Sequence, residues 1–492
     1  MSDQKENKKH LSAGTVIRAE NGDIIRYDST GLVMVLSDRV IADIQRRWPE
    51  TTADEPNVPE WIDAEVLGNV DAWDVRRNGE WYIFNANLEG AQGIRQFRKL
   101  VEPDNIESDT CIIADTAGAV RGILSIGGAR RATGFKEPIN FPWHIVAPAD
   151  EIGAVGHAGV DTAQITSALQ ILPEMTRDAA LADIFLTQQH QTHQALPLYV
   201  TRTETDTSAS ITALAGGAAY GNLLTAAKSL RAAAKRLDKR AVLLAIGLEF
   251  TLEDIESDAQ TYRNGVLDLL ANLTRDMAAL GYRRPPFLSV FDCGTQTIND
   301  HPVLRAQWDL AWQGNEYGLC YTAPGYMFRQ DRYGRPDMNA VWQMAEMDAC
   351  ALEVLVDDDA EWLCPIFLLA EREPDRKVIR VKARTMGKLV IDTDDPFGSG
   401  KTLGFSLAGA TNAAEIINAT LAEDDPEDIL LTCNIAPEGD DITLLYAFGN
   451  SPKRGKMDYP AACGSIRDEW SFDSKTGQTL HRWALPAALP VH

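Results

Sequence analysis

Close cysteine pairs are missing from this chain, as are long apolar runs, a surplus of basic residues, a fixed-period repeat and any low-complexity tract. Each absence excludes something. The seven cysteines (Cys111, Cys293, Cys320, Cys350, Cys364, Cys433 and Cys463) are scattered and odd in number. That excludes a disulfide framework and the paired spacing of a zinc site, so they read as small buried apolar residues. The longest apolar runs, such as Ala241–Leu248, fall far short of the roughly 20 residues of a membrane span, so no membrane insertion is expected. The polar start, Met1 to Lys9, is unlike a signal peptide. Synthesis and folding in a cytoplasm are expected, with a later exit only inside a particle. A formal net charge of -24 argues against nucleic acid, whose phosphates are bound by clustered Lys and Arg.

What is present belongs to an ordinary globular protein. The 492 residues, 45% hydrophobic and 24% charged, suffice for two to four domains, each with its own core. Residues 1–120 alternate at period two between turn signals, with hairpins turning at Asn21-Gly22 and Asn78-Gly79. This predicts a small β module, interrupted by an acidic surface loop from Pro49 to Pro59. Residues 121–358 alternate strand and helix patterns, which predicts a parallel sheet covered on both faces. The strand candidates are Trp143–Ala147, Leu196–Val200, Ala241–Gly247 and Pro286–Phe291, and amphipathic helices are read at Gly221–Leu237, Asp258–Leu280 and Met338–Leu355. Residues 359–492 return to period two and predict an antiparallel β-sandwich. The fold class expected is a central α/β flavodoxin-like layer flanked by β modules.

Four blocks in the middle region carry a resemblance. Pro148-Ala-Asp-Glu-Ile-Gly153 follows the first strand candidate, and Ala215-Gly-Gly-Ala218 precedes a helix. Gly247-Leu-Glu-Phe250 ends a third strand, and Asp331-Arg-Tyr-Gly-Arg-Pro-Asp-Met-Asn-Ala-Val-Trp-Gln-Met-Ala-Glu346 leads into the last helix. In order and spacing these are similar to the conserved blocks of SGNH (sialate O-acetylesterase-like) hydrolases, including members encoded by phages. The resemblance implies a Ser nucleophile, oxyanion donors from Gly and Asn, and a His base. Here Asp150 stands at the Ser position, Gly217 at the oxyanion Gly, Glu249 where an Asn donor would be, and Arg335 at the His. Ala340 and Ala345 take two Gly positions, and Glu346 keeps the Glu. A carboxylate is a poor nucleophile toward an ester and repels an oxyanion, while Arg is protonated at any working pH. A salt-linked cluster of Asp150, Glu249 and Arg335 is therefore expected in place of an active site.

Other chemistry is thinner. Ser167, Ser208 or Ser210 could be a displaced nucleophile, and His190 or His193 a base, although both histidines read as solvated surface residues. His190-Gln-Thr-His193 lacks a third ligand, so no metal and no cofactor is expected. Gly398-Ser-Gly-Lys-Thr402 imitates a P-loop, but the further Gly that motif needs is Asp395, so it reads as a turn. The segment Gly464–Pro486 resembles the tail of phage-encoded SGNH-like proteins; there Trp470 and Trp483 could stack on sugars while Arg467, Asp468 and His481 contact hydroxyls, or both Trp could be core anchors.

The function expected is a phage tail, fibre or spike component with a catalytically degenerate esterase-like domain. It would assemble with itself and with other virion proteins and bind a host surface polysaccharide. An active carbohydrate O-deacetylase and a soluble cytoplasmic glycan-binding protein are the alternatives.

Overall fold

The computed structural model describes residues 14–18, 24–28, 31–35, 60–101, 112–137, 139–357, 360–449 and 459–492. Cys111, the Asn21-Gly22 tip and the Pro49–Pro59 loop lie outside them. The chain divides into two compact units, residues 1–60 and 61–492. In the first, Gly14–Arg18, Ile24–Asp28 and Gly31–Val35 form an antiparallel meander, so the first expected hairpin forms. The expected boundaries near residues 120 and 358 both fall inside the second unit.

That unit begins with an antiparallel sheet containing Ala72–Asn78, Trp81–Ala86, Arg95–Leu100 and Ile112–Ala114. Gly79, at φ +58, makes the expected tight turn. Alternation along these strands serves two cores. Phe84 and Phe97 pack with Val75 and Leu67 in a small cluster of their own, while Trp81, Ile83 and Ile113 on the other side join the main core.

The main core surrounds a mixed sheet whose spatial order is Leu169–Ile171, Ile145–Pro148, Leu198–Thr205, Val120–Gly127, Ala241–Glu249, Phe287–Phe291 and Leu319–Pro324. Leu169–Ile171 runs antiparallel to its neighbour and the other ladders are parallel. Leaving out the short outer strands Ile145–Pro148 and Val155–His157, which also pair in parallel with Leu198–Thr205, the remaining five parallel strands run 2-1-3-4-5 in chain order, a doubly wound arrangement. The central strand, Val120–Gly127, is almost wholly buried, as a strand covered by helices on both faces must be. Helix Arg177–Gln191 packs on Met338–Asp357, while Ala218–Arg236, Ala259–Ala279 and Pro302–Gln313 form a second packed set. Thr176 and Asp258 cap two of these helices by accepting the N–H groups of Ala179 and Thr261.

One expectation is corrected here. The first parallel strand is Val120–Gly127, which begins where the N-terminal module was expected to end; Trp143–Ala147 contributes to an outer strand instead. Gly122 and Arg121 interrupt the apolar run of Val120–Gly127 and hide it from a pattern reading. A Cβ on Gly122 would lie 2.4 Å from Leu230 Cδ2, so a larger residue there would have to displace that side chain.

Beyond the last helix, three antiparallel sheets follow. One orders Ile366–Arg372, Val378–Arg384, Asp428–Cys433 and Ile416–Leu421; another holds Leu389–Ile391, Ile466–Asp473 and Thr479–Trp483; a third holds Phe405–Ala408, Thr443–Tyr446 and Ala487–Pro490. The rings of Phe367, Phe405 and Tyr446 meet at centroid distances of 4.8–5.3 Å. Tyr326 donates to the Ala484 carbonyl at 2.7 Å and Trp308 to that of Phe367 at 2.9 Å, which ties these sheets to the α/β layer.

The two inner strands approach closely at their ends. A Cβ on Gly127 would lie 2.3 Å from the Glu249 carbonyl oxygen. Gly127→Ala should therefore cost about 1–3 kcal/mol in urea unfolding, because backbone cannot give way as a side chain does. An unchanged midpoint would count against this approach.

Candidate functional site

In a 2-1-3-4-5 sheet the natural ligand crevice lies at the carboxyl ends of the strands, where connections from the first and third strands diverge to opposite faces. Here the chain leaving Val120–Gly127 is Gly128-Ala-Arg-Arg131, followed across the sheet by Phe250–Asp254, Asp292–Thr295 and Gly325–Met327. These loops bring guanidinium groups and carboxylates together out of water. Arg130 pairs with Glu253 at 3.1 Å and with Asp292 at 2.6 Å. Arg131 meets Asp178 at 2.5 Å and Ser125 Oγ at 2.7 Å. Ser125 donates to Asp178 at 2.7 Å, as does Thr203.

Deeper toward the two packed helices, Arg177 grips Asp348 with two bonds of 2.6 and 2.7 Å and reaches Glu249 at 3.3 Å. Thr322 also donates to Asp348, at 2.9 Å. On the other flank Arg202 holds Asp150 and, at 3.1 Å, Glu204. Burial opposes the charge on Glu253, but Arg130 overrides it and holds that carboxyl below its usual range. Glu204 goes the other way. Its side chain has 0% exposure, and burial outweighs the pull of Arg202 and raises its pKa to about 7.

The space left is small. A cavity of about 20 Å³ remains, bordered by Arg130, Glu249, Asp292, Gly294, Gln330 and Gly334 among others. That is room for about one water. The first N–H beyond the strand, that of Gly128, already donates to the Glu249 carbonyl at 3.0 Å. Gly247 gives no relief, since a Cβ there would lie 2.3 Å from both Arg131 Nη2 and Ser125 Oγ. Among the described residues no serine hydroxyl hydrogen-bonds to a histidine ring; the hydroxyl–imidazole contact that exists is Thr205 to His157 at 3.1 Å. Ser125 donates to Asp178 and accepts from Arg131, and among the described residues no histidine ring reaches its hydroxyl.

The expected cluster of Asp150, Glu249 and Arg335 does not form. Asp150 pairs with Arg202 and Glu249 with Arg177, while Arg335 is exposed and receives Asp331 Oδ1 on its backbone N–H at 2.9 Å. Asp150 also does not follow the first strand; Gly128–Arg131 does, without a hydroxyl. Gly217 caps the helix Ala218–Arg236, and a Cβ there would lie 2.7 Å from the Ala213 carbonyl oxygen, which gives it a steric reason to be glycine. Ser167 accepts from Arg236 at 3.3 Å, Ser208 donates to Asp206 at 3.1 Å, and Ser210 accepts the Ala213 N–H as a helix cap at 3.2 Å. His190 and His193 are exposed at the end of the Arg177–Gln191 helix. The P-loop imitation is a turn whose N–H groups at Ser399 and Gly400 bind the carboxylate of Asp395 at 2.7 and 2.8 Å.

The four C-terminal candidates lie near one another on paired strands. Trp483 is 3% exposed and stands edge-on to Phe397 at 4.9 Å, which makes it a core anchor with no face for a sugar. Trp470 is half-buried against Trp362 at 5.0 Å. Arg467 pairs with Asp392 at 2.9 Å, and His481 bonds the Trp470 carbonyl at 3.0 Å. Burial pushes the His481 pKa down. What the sequence reading missed is the set of buried arginines, Arg130, Arg131, Arg177 and Arg202. A visible signal existed in Gly127-Gly128-Ala-Arg-Arg131, a glycine pair directly after an apolar strand.

No family model and no curated protein matches this chain. Among solved structures, a carbohydrate acetylesterase from Xanthomonas citri is similar over 79% of this chain and 86% of its own, at 14% identity and a TM-score of 0.47. A protein from Arabidopsis thaliana is similar over 47% of this chain and 97% of its own, at 15% identity and a TM-score of 0.30. A tail fibre protein from an E. coli phage is similar over 67% of this chain and 34% of its own, at 11% identity and a TM-score of 0.29. None reaches the similarity that establishes a shared fold, so the strand order itself carries the fold assignment.

Two measurements probe the buried charges. Arg177→Met leaves Asp348 and Glu249 without their counter-charge and should cost about 3–5 kcal/mol in urea unfolding, part of which Arg177→Met combined with Asp348→Leu should restore. A single variant within about 0.5 kcal/mol of the parent would show that the pair is dispensable. The second concerns pH. Glu204 titrates near 4.5 when unfolded and near 7 in the fold, so its contribution to stability is complete below about 4.5 and is lost as pH rises through about 7. The stability of Glu204→Gln relative to the parent should therefore improve by up to about 3 kcal/mol between pH 5 and pH 8. A difference that stays level with pH would refute the raised value.

Proposed function

We propose that this chain is a structural, receptor-binding component of a phage particle, in which an esterase-type α/β layer serves as scaffold and not as catalyst. One observation carries the non-catalytic part: the crevice at the carboxyl ends of the sheet is filled by paired buried charges and keeps a cavity of only about 20 Å³. Hydrolysis of an ester needs an attacking group, a base to take its proton and donors aimed at the oxyanion. In this crevice the hydroxyl of Ser125 is tied to Asp178 and Arg131, the N–H of Gly128 is engaged, and arginines stand where a base would be needed.

The virion role is supported by the arrangement at the two ends. The antiparallel meander at Gly14–Val35 suits attachment, and the three antiparallel sheets after residue 360 suit contact with neighbours or with a host polysaccharide. Copies of the chain would assemble with themselves and with other particle proteins.

The purified protein should release no acetate from acetylated xylan and no p-nitrophenol from p-nitrophenyl acetate above the buffer rate. Turnover abolished by a single Ser→Ala change would overturn the scaffold reading. Gold-labelled antibody should mark the tails of particles in electron micrographs, and particles that consistently lack the label would remove the virion assignment.

A further inference from the structure

The segment Arg329–Asp337 roofs the closed crevice, and its two sides differ in kind. Its inner side seals the cavity: Gln330 donates to the Gly294 carbonyl at 3.0 Å, and a Cβ on Gly334 would lie 3.0 Å from Thr295 and 3.3 Å from Arg130. Its outer side shows Tyr333, which is 60% exposed. The guanidinium carbons of Arg332 and Arg335 lie 4.6 and 6.0 Å from the centroid of that ring. The loop is held firmly. Asp331 Oδ1 accepts the N–H groups of Tyr333 and Arg335 at 2.8 and 2.9 Å, and Gln330 bridges to Pro336 across its base.

In a chain of net charge -24, two guanidinium groups beside one exposed tyrosine ring are out of keeping with their surroundings. Among the described residues neither Arg332 nor Arg335 is paired with a carboxylate. Arg332 Nη2 donates to the Tyr333 hydroxyl at 2.5 Å, which fixes that guanidinium over the ring and leaves its remaining N–H groups, with those of Arg335, for the parallel bonds a carboxylate accepts. Because the cations are already oriented by Tyr333 and by the Asp331 turn, little rotamer freedom remains to be lost on binding. The exposed aromatic supplies an apolar surface of the kind a sugar ring covers. An isolated anion would use only half of this arrangement.

We propose that Arg332, Tyr333 and Arg335 form a binding platform for a carboxylate-bearing saccharide such as a uronic or sialic acid. The proposal rests on the receptor-binding reading and moves the principal glycan contact from the C-terminal sheets to the roof of the closed crevice.

The test uses the full chain in biolayer interferometry against surfaces of polygalacturonate, polysialate and alginate, with dextran as the uncharged control and dextran sulfate as a polyanion without carboxylates. Binding to at least one carboxylated polymer, absent on dextran, should weaken at least tenfold in Arg332→Ser/Arg335→Ser and in Tyr333→Ala. Because the loop is exposed, circular dichroism should show both variants folded, and Arg332→Lys/Arg335→Lys should recover only part of the affinity because Lys lacks the planar fork. Binding to no carboxylated polymer, equal binding by the variants, or equal binding to dextran sulfate would each overturn the proposal. Failure here with particles still labelled would remove the platform and leave the scaffold reading standing; intact binding together with serine-dependent turnover would do the reverse.

Discussion

Four arginines withheld from water at the carboxyl ends of the central sheet set what every loop around them can be. A guanidinium cannot lose its proton, so each must be met by carboxylates at hydrogen-bond distance or the fold loses several kcal/mol. Arg130 therefore draws together the loops after the first, third and fourth parallel strands, through Glu253 and Asp292. Arg177 links the first main helix to the last through Asp348 and reaches the third strand at Glu249. These bonds join segments that are far apart in the chain, and removing one partner leaves the other charge buried and unmet.

The same network explains why one acid titrates near neutrality. Seven carboxylates, those of Asp150, Asp178, Glu204, Glu249, Glu253, Asp292 and Asp348, surround four guanidinium groups. Arg202 faces two of them, and Asp150 takes the shorter contact. Glu204 is left in a dry position beside Gly156, where a Cβ would lie 2.3 Å from its Oε2. Its proton neutralises charge that the arginines leave over.

Much of the fold was legible in the sequence, and little of the site was. Apolar runs at Leu196–Val200, Ala241–Gly247 and Pro286–Phe291 marked the strands Leu198–Thr205, Ala241–Glu249 and Phe287–Phe291, which are buried on both faces, and a period of 3.6 marked the helices at Ala218–Arg236, Ala259–Ala279 and Met338–Asp357, which bury one face. The strand order was harder to see. Residues 128–197 insert three short outer strands and a helix between the first and second main strands, so the apolar run at 143–147 took the place of Val120–Gly127. Ion pairs leave no periodic trace at all. Asp348 is 171 residues from Arg177, and nothing local in either segment marks its partner. Arg335 was legible as a residue but not as a role: its alignment with a catalytic position placed it inside, whereas the Asp331 turn puts it at the surface.

Wherever the sequence hints at a ligand, the chain supplies its own counter-charge. Backbone N–H groups at Ser399 and Gly400, arranged as for a phosphate, hold the Asp395 carboxylate instead. Arginines in the crevice, suited to an anionic substrate, hold Asp178, Asp292 and Asp348. A group whose charge is already met by a buried partner offers an outside molecule only exchange, and exchange must break desolvated bonds before making new ones. Recognition of an external anion is then favoured where the cations are oriented but unpaired, and at this end of the sheet that describes Arg332 and Arg335 beside Tyr333. The buried pairs and the Asp331 turn hold the loops on both sides of the roof in place, so the cations beside Tyr333 have little freedom left to lose.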